Sequence, residues 1–239
     1  MIRVILNGAC GRMGRSFATL CENTADIFIV AGVDENTKTA RHSFPVYDDI
    51  GKIRGPADVI VDFSVPAALD RILRYALDNN LKLLVATTGH SRSQLNDLRS
   101  ASEKIAVFKA ANLSVGISVL SKLAAICADA LTDFDAAITE THHKNKLDAP
   151  SGTALMLKNS ITSSGPPSRA VCINSIRGGT VTGKHEVVFF GNYETITITH
   201  EATCKDVYAL GAIRAIRFLS SETAGFYTPD DLFMTNSEN

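Results

Sequence analysis

The sequence predicts an α/β chain: a parallel sheet covered by helices comes first, and an α+β domain built on an open mixed sheet follows. Three observations support this prediction. Up to about residue 112, short runs that are apolar on both faces alternate with helical segments, as in buried parallel strands. A long apolar helical pattern then intervenes. After it, ETITITHEATC alternates strictly between apolar and polar residues, which is typical of a half-exposed strand.

The elements of the first part follow one another in a regular order. Strands are predicted at 2–6, 27–33, 56–64, 81–89 and 105–114. Helices are predicted in GRMGRSFATLCEN, at 69–80 and at 91–104. Because a helix-length segment separates most consecutive strands, we expect parallel pairing with the helices on both faces.

The second part begins with a helix predicted at 115–131. A strand in DAAITE, a helix at 153–162 and a final helix at 207–219 are also predicted. Three further strands are predicted in RAVCINSIRGG, KHEVVFFGN and ETITITHEATC. In the last of these, Ile196, Ile198 and His200 share one side, and threonines occupy the other.

Composition argues against several classes of protein. The chain has 239 residues, 45% of them hydrophobic, and a formal net charge of -1, so we expect globular domains without a nucleic-acid partner. Its five cysteines include no C-x-x-C pair, which argues against a disulfide framework or a zinc ribbon and favours the cytoplasm. The apolar run before the first glycines is too short for a signal peptide or membrane span.

The segment GACGRMG at 8–14 follows a predicted strand and opens a predicted helix. Its glycines have the spacing G-x-x-G-x-x-G, with Ala9 where the usual dinucleotide fingerprint has glycine. Glycines allow a pyrophosphate to approach the backbone, and the helix N-terminus supplies free N–H groups. Asp34, at the end of the second strand, is the acid expected for a ribose hydroxyl. Together these features indicate a Rossmann-like domain, although a glycine turn can also serve packing alone.

The residues after the second strand bear on the choice of cofactor. Asp34 and Glu35 place two carboxylates where the 2′-phosphate of NADPH would lie, whereas Arg12 and Lys38 could offset them. We therefore expect NADH to be used at least as well as NADPH.

The segment ETHHKNKLDAPSGTA at 140–154 concentrates titratable and anion-binding groups. Pro150 and the residues after it predict a helix N-terminus, which binds carboxylate or phosphate oxygens, and Lys144 or Lys146 adds positive charge. His142 and His143 would lie on opposite sides of an extended chain. A histidine beside a lysine suggests general acid chemistry on an anionic substrate.

Simpler interpretations of this segment remain open. Paired histidines are often plain surface residues, and Ser151 and Thr153 could be helix caps only. A metal hydrolase using His142 and His143 is a further alternative, but the segment lacks H-E-x-x-H spacing and a nearby Cys or Glu cluster. We therefore expect no metal.

The same segment closely resembles the E-x-H-H-x-x-K-x-D-A-P-S-G-T-A signature of the 4-hydroxy-tetrahydrodipicolinate reductase (dihydrodipicolinate reductase) family. The resemblance extends over most of the chain. Further segments similar to the family are GACGRMG, VDFSVP, ATTG, AANLSVGISVLSKL, RGGTVTGKHEVVFFG, ITITHEA and ALGAIRAIRFL. The resemblance implies an enzyme of the diaminopimelate and lysine pathway that reduces a cyclic dicarboxylate with NADH or NADPH and forms a homotetramer.

The resemblance also implies roles for individual residues. His142 would be a proton donor and acceptor, and Lys146 the proton donor. The residues expected to hold the substrate are His143, Ser151, Gly152 and Thr153. The residues expected to bind the cofactor are Gly8, Ala9, Cys10, Gly11, Arg12, Met13, Asp34, Ala86, Thr87, Thr88, Ala110, Ala111, Asn112 and Leu113.

Four positions depart from the family pattern. Ala86 replaces a glycine, Leu113 an aromatic residue, and Lys205 an arginine, while Glu35 stands where some members carry arginine. None removes a proposed catalytic group. A non-catalytic dinucleotide-sensing regulator is the second hypothesis, although it would not need the histidine–lysine pair.

These inferences define the expected domain boundaries. We predict a dinucleotide-binding domain at 1–112 and a domain for substrate binding and oligomerisation at 113–212. The segment 213–239 is expected to pack back on the first domain.

Overall fold

The computed structural model describes residues 1–232. The strands are β1 (Ile2–Asn7), β2 (Ile27–Val33), β3 (Val46–Tyr47), β4 (Val59–Asp62), β5 (Lys82–Val85), β6 (Ala106–Lys109), β7 (Asp135–His142), β8 (Val171–Arg177), β9 (Gly183–Phe190), β10 (Thr195–Ala202) and β11 (Gly225–Tyr227). The helices are α1 (Arg12–Cys21), α2 (Leu69–Asp78), α3 (Arg92–Ser102), α4 (Val115–Ala130), α5 (Gly152–Ser164) and α6 (Asp206–Ser221).

The described chain divides into two units. The first comprises Met1–Leu113 together with residues 206–232, and the second comprises Ser114–Lys205. Within residues 1–232, every helix is too short or too polar to cross a membrane.

The first unit contains a sheet of strand order β11-β6-β5-β4-β1-β2-β3, in which every pairing is parallel. From β1 the chain builds the sheet outward through β2 and β3, then returns to place β4 on the other side of β1. In open sheets of this kind, ligands bind outside the carboxyl ends of the strands where the order reverses. That point lies between β1 and β4, at the glycine segment.

Both faces of this sheet are covered by helices. Val4 and Leu6 point to the side of Phe17 in α1 and of helix α6, whereas Ile5 packs with Ile72 of α2 and other apolar side chains of α2 and α3. Consecutive residues of β1 are thus buried on opposite faces, so the prediction of a doubly covered parallel sheet is confirmed.

The second unit contains a sheet of order β10-β9-β7-β8. β7 pairs parallel with β8 and antiparallel with β9, and β9 pairs antiparallel with β10. Side chains of α4 and α5 pack against Ile138, Val187 and Phe189 of this sheet. The predicted mixed sheet is confirmed, and its central strand β7 carries the start of the histidine segment.

Several element boundaries differ from the predictions. The strand predicted at 81–89 ends at Val85, because after Ala86 the chain leaves the ladder with Asp62 and forms a loop. Strand β7 extends beyond DAAITE to His142. The short strands β3 and β11 were not predicted, since runs of two or three residues carry no period. Of the predicted segment 213–239, residues 233–239 lie outside the described part of the chain.

Candidate active site

The glycine segment forms a tight turn at the carboxyl end of β1. Gly8 has a φ of 78°, and a Cβ atom there would stand 2.6 Å from the carbonyl oxygen of Phe63. A Cβ on Gly14 would collide with the carbonyl oxygen of Gly8. Only glycine meets both requirements, so α1 lies directly against the turn.

The N-terminus of α1 is open to an anion. Gly11 is its N-cap residue, and no side chain in the described chain caps the first N–H groups. The groove beside the turn has a volume of about 250 Å³. Among its lining residues are Asn7, Gly8, Asp34 and Arg71.

Asp34 is held against the glycine segment by its carboxylate. Its Oδ2 atom accepts a hydrogen bond from the Cys10 backbone N–H at 2.9 Å, and Oδ1 accepts one from Asn36 at 2.9 Å. Glycine turn, open helix terminus and acid therefore line one groove, an arrangement that fits the pyrophosphate and ribose of a dinucleotide. Arg71, which sequence reasoning missed, adds a cation to this groove.

The segments expected at the nicotinamide end are joined by a lysine that was also missed. Lys109 Nζ donates hydrogen bonds to the carbonyl oxygens of Thr87 at 2.8 Å and Ala110 at 3.3 Å. Burial lowers the pKa of Lys109 to about 8, and the charge of Asp62 opposes this shift. One ammonium thus connects the chain after β5 to the chain after β6.

The remaining residues expected to contact cofactor occupy varied environments. Ala9, Thr87, Ala110 and Leu113 are buried, and Leu113 belongs to the core that α6 completes. Partly buried residues are Cys10, Met13, Ala86 and Asn112, and exposed residues are Gly11, Arg12, Thr88 and Ala111.

The second unit brings a histidine and a carboxylate together at the end of β7. Glu140 is fully buried, and its Oε2 atom lies 2.5 Å from His142 Nδ1. Arg177 of β8 donates two hydrogen bonds to the same carboxylate, at 2.9 and 2.8 Å. The backbone N–H of Ser151 donates a further one at 3.2 Å.

These contacts, together with burial, determine the charge states of Glu140 and His142. Burial by itself would raise the pKa of Glu140, but hydrogen bonds from Arg177, Ser175 and His142 outweigh burial and hold the pKa at about 2. Burial lowers the pKa of His142, although Glu140 opposes this change. At neutral pH the carboxylate is therefore ionised and the imidazole is mainly neutral. Since a carboxylate only accepts hydrogen bonds, Nδ1 carries the proton and Nε2 presents a lone pair.

A second buried histidine lies next to His142. The ring centroids of His142 and His185 are 5.2 Å apart in an edge-to-face arrangement, and His185 Nε2 lies 3.3 Å from the Ser151 hydroxyl. Burial lowers the pKa of His185 to about 4, so this ring is neutral. A Cβ on Gly183 would stand 3.1 Å from His142 Nε2, so the backbone there is close to that nitrogen.

The loop after β7, residues 143–151, places a lysine beside a helix N-terminus. Lys146 Nζ donates to Asp148 Oδ1 at 2.7 Å, and Ser151 caps α5 by accepting a hydrogen bond from Ala154. Lys146 is the main cause that lowers the pKa of Asp148, and a hydrogen bond from the Gly152 backbone adds to it. Lysine and helix terminus thus already hold a carboxylate, which belongs to the protein itself.

The structure therefore places the predicted substrate residues around one loop and helix end. Ser151 is buried, His143 and Thr153 are partly buried, and Gly152 is exposed. In the second unit, sequence reasoning also left three residues without a role: Glu140, Arg177 and His185. All three residues lie in segments that resemble the family, ETHHKNKLDAPSGTA and RGGTVTGKHEVVFFG, but a sequence pattern does not show which side chains meet.

One unit has a groove that fits a dinucleotide, and the other has a histidine and a lysine that each contact a carboxylate. Together these features define a class of protein: an oxidoreductase that uses a nicotinamide dinucleotide. Family models narrow this class. Residues 2–113 match dihydrodipicolinate reductase, N-terminus, and residues 116–233 match dihydrodipicolinate reductase, C-terminus. The chain belongs to the dihydrodipicolinate reductase family.

Individual relatives agree with this assignment. The chain is 39% identical over 248 residues to the 4-hydroxy-tetrahydrodipicolinate reductase of Caldanaerobacter subterraneus subsp. tengcongensis, covering 97% of this chain and 98% of the relative. It is 38% identical to the enzyme of the same name from Clostridium novyi, with coverage of 99% and 100%. A dipicolinate-bound dihydrodipicolinate reductase from Paenisporosarcina sp. superposes with a TM-score of 0.80 at 25% identity, covering 95% and 97% of the two chains.

Proposed function

We propose that this protein reduces 4-hydroxy-tetrahydrodipicolinate to tetrahydrodipicolinate in diaminopimelate and lysine biosynthesis. The observation that carries the proposal is the site at the end of β7. There, a buried carboxylate orients His142, and Lys146 and the N-terminus of α5 hold the Asp148 carboxylate, so this loop end can bind a carboxylate group. A cyclic dicarboxylate that must gain a proton matches this site in charge and in chemistry.

The overall reaction consumes one hydride and one proton and releases water. Elimination removes the ring hydroxyl together with a proton from the adjacent carbon; reduction of the resulting double bond then adds the hydride to the first carbon and a proton to the second. A bound reduced nicotinamide supplies the hydride. The protein must hold the ring, exclude competing anions and deliver the proton to the carbon next to the one that receives the hydride.

The residues around the loop divide this work. Lys146 is the proposed proton donor: its ammonium, now paired with Asp148, lies beside the N-terminus of α5 and could turn to a substrate held there. His142 exchanges a proton through Nε2, since Nδ1 is occupied by Glu140. The groups that hold the substrate carboxylates are His143, Ser151, Gly152 and Thr153.

The first unit would hold the cofactor. Backbone N–H groups of the segment from Gly8 to Met13 would contact the pyrophosphate, and Asp34 the adenosine ribose. The segments at 86–88 and 110–113 would line the nicotinamide. Two carboxylates, Asp34 and Glu35, favour NADH at least as much as NADPH, while Arg71 supports some use of NADPH.

Assembly and location complete the proposal. The protein would be a cytoplasmic homotetramer assembled through the second unit. Exposed Val119, Leu123 and Ile126 lie three and four residues apart on α4 and so form one apolar stripe suited to a subunit contact. Light scattering after gel filtration measures the number of subunits; a monomer would contradict the proposed tetramer.

Oxidation of NADH or NADPH in the presence of the product of the preceding synthase tests the activity. We expect loss of reduced-nicotinamide absorbance that depends on both substrates. Lys146→Ala should lower kcat by about 10²- to 10⁴-fold, the usual cost of losing one acid catalyst. Absence of turnover with both cofactors, or normal turnover in the variant, would contradict the proposal.

A further inference from the structure

We propose that Glu140 and Arg177 form a positioning pair for this reaction: they fix the proton of His142 on Nδ1 and hold the two ends of the substrate loop together. The substrate loop is residues 143–151. The inference rests on the proposed function of that loop, but one of its tests does not require turnover.

The hydrogen bonds to the Glu140 carboxylate come from groups at both ends of the substrate loop. One oxygen of Glu140 is bound by His142 and Arg177, and the other by Arg177 and the backbone of Ser151. His142 immediately precedes the substrate loop and Ser151 ends it. A single carboxylate therefore joins the base of the loop to the helix terminus that follows.

Arg177 strengthens this connection from the neighbouring strand. Besides its two bonds to Glu140, its Nη2 atom donates to the backbone oxygen of Asp148 at 2.6 Å. The next residue, Gly178, donates its backbone N–H to the oxygen of His142 at 2.9 Å. The arginine and its strand thus restrain the chain on both sides of Lys146.

A purely stabilising role does not explain the pair. Burial of a charged pair carries a desolvation penalty that the attraction between the charges often only cancels, and Arg177 here is partly exposed. The pair is found where its contacts reach a histidine and a loop proposed to act on substrate. Bidentate geometry is also what arginine offers when orientation matters.

The pair also determines which nitrogen of His142 can react. Glu140 accepts from Nδ1, so Nε2 is left to exchange a proton with a ligand. The charged and titratable groups around the ring are Glu140, Lys146, Arg177 and His185. Only Glu140 among them favours the imidazolium, so its removal should make His142 harder to protonate.

Glu140→Gln tests the inference with little change in shape. In ¹⁵N-histidine spectra of the wild-type protein we expect His142 to carry its proton on Nδ1, and in the variant we expect this preference to be lost. The limb of the kcat/KM profile that reports His142 should move to lower pH, and kcat should fall about 10- to 100-fold. An unchanged tautomer with an unchanged pH profile in the folded variant would overturn the inference.

Two further variants separate positioning from folding. Glu186→Gln is the control. Glu186 lies on the neighbouring strand β9, where its carboxylate accepts a hydrogen bond from Thr199, so its replacement should leave the spectra and the kinetics as in the wild type. Arg177→Lys keeps the charge but removes the bidentate contact, so kcat should fall at least about 10-fold while the melting temperature changes little. Wild-type kcat in Arg177→Lys would refute the positioning role even if Glu140→Gln failed to fold.

A lack of turnover in the wild type would refute the proposed function. The ¹⁵N spectra would still show whether Glu140 controls the His142 proton, so the two failures can be told apart.

Discussion

Replacing Gly152 by valine separates substrate binding from folding. Gly152 is the first residue of α5 and is exposed, and a Cβ there would meet no heavy atom within 4 Å. The unliganded fold therefore has room for the side chain, and the free energy of unfolding should change by no more than about 1 kcal/mol.

The same side chain would stand in front of the N–H groups that we propose for a substrate carboxylate. A hydrogen bond to a charged group contributes about 1.5–3 kcal/mol, so losing one should raise KM for the dicarboxylate about 10- to 150-fold. The KM for NADH should not change, because we propose that the first unit binds the cofactor. Steady-state kinetics over both substrates measure these values.

Asn159→Val is the matched control, since it places valine on an exposed position of the same helix. It should leave both KM values unchanged. A wild-type KM for the dicarboxylate in Gly152→Val would refute the carboxylate site. A large loss of thermal stability would show instead that the space around Gly152 is not open.

Three other variants test further parts of the account. Lys109→Met should weaken cofactor binding about 10-fold. In the wild type, cofactor affinity should fall above about pH 8, where Lys109 loses its proton. Calorimetry over this pH range should find no such fall in the variant. Arg71→Met should lower kcat/KM for NADPH several-fold more than for NADH, and an equal loss for both would argue against a phosphate contact. Asp148→Asn removes the carboxylate that pairs with Lys146, so KM for the dicarboxylate should fall a few-fold; a higher KM would mean that Asp148 helps substrate to bind.

Much of the fold followed from local patterns in the sequence. The runs at 2–6 and 27–33 are apolar on both faces, so buried parallel strands could be predicted, and each was found within one residue. The alternation in ETITITHEATC likewise identified β10. These predictions succeeded because side-chain burial repeats with the period of the element.

Other features depended on contacts that no local pattern encodes. Strand β3 is two residues long and exists because Val46 and Tyr47 pair with the end of β2. The strand predicted to reach residue 89 stops at Val85, since its backbone partner on β4 ends at Asp62. Short elements of this kind are defined by their neighbours.

The candidate active site likewise depends on contacts between residues that are far apart in the sequence. His142 and Lys146 could be proposed from a compact motif and a resemblance, but Arg177 lies 37 residues from Glu140 in the chain. Only the parallel pairing of β7 with β8, which sets His142 opposite Arg177, brings that guanidinium to the carboxylate. Lys109 was missed because a lysine at a strand end usually reaches solvent, whereas here it donates to two backbone carbonyls.

The central claim is that a dinucleotide passes hydride to a dicarboxylate ring while this protein supplies the proton. Reduced cofactor labelled with deuterium at its transferable position tests it directly when the ring product is weighed by mass spectrometry. The account predicts a product that carries the deuterium from the labelled cofactor and, in a separate reaction in heavy water with unlabelled cofactor, a solvent-derived deuterium on the adjacent carbon. Oxidised cofactor without deuterium in the product, or no product at all, would contradict it.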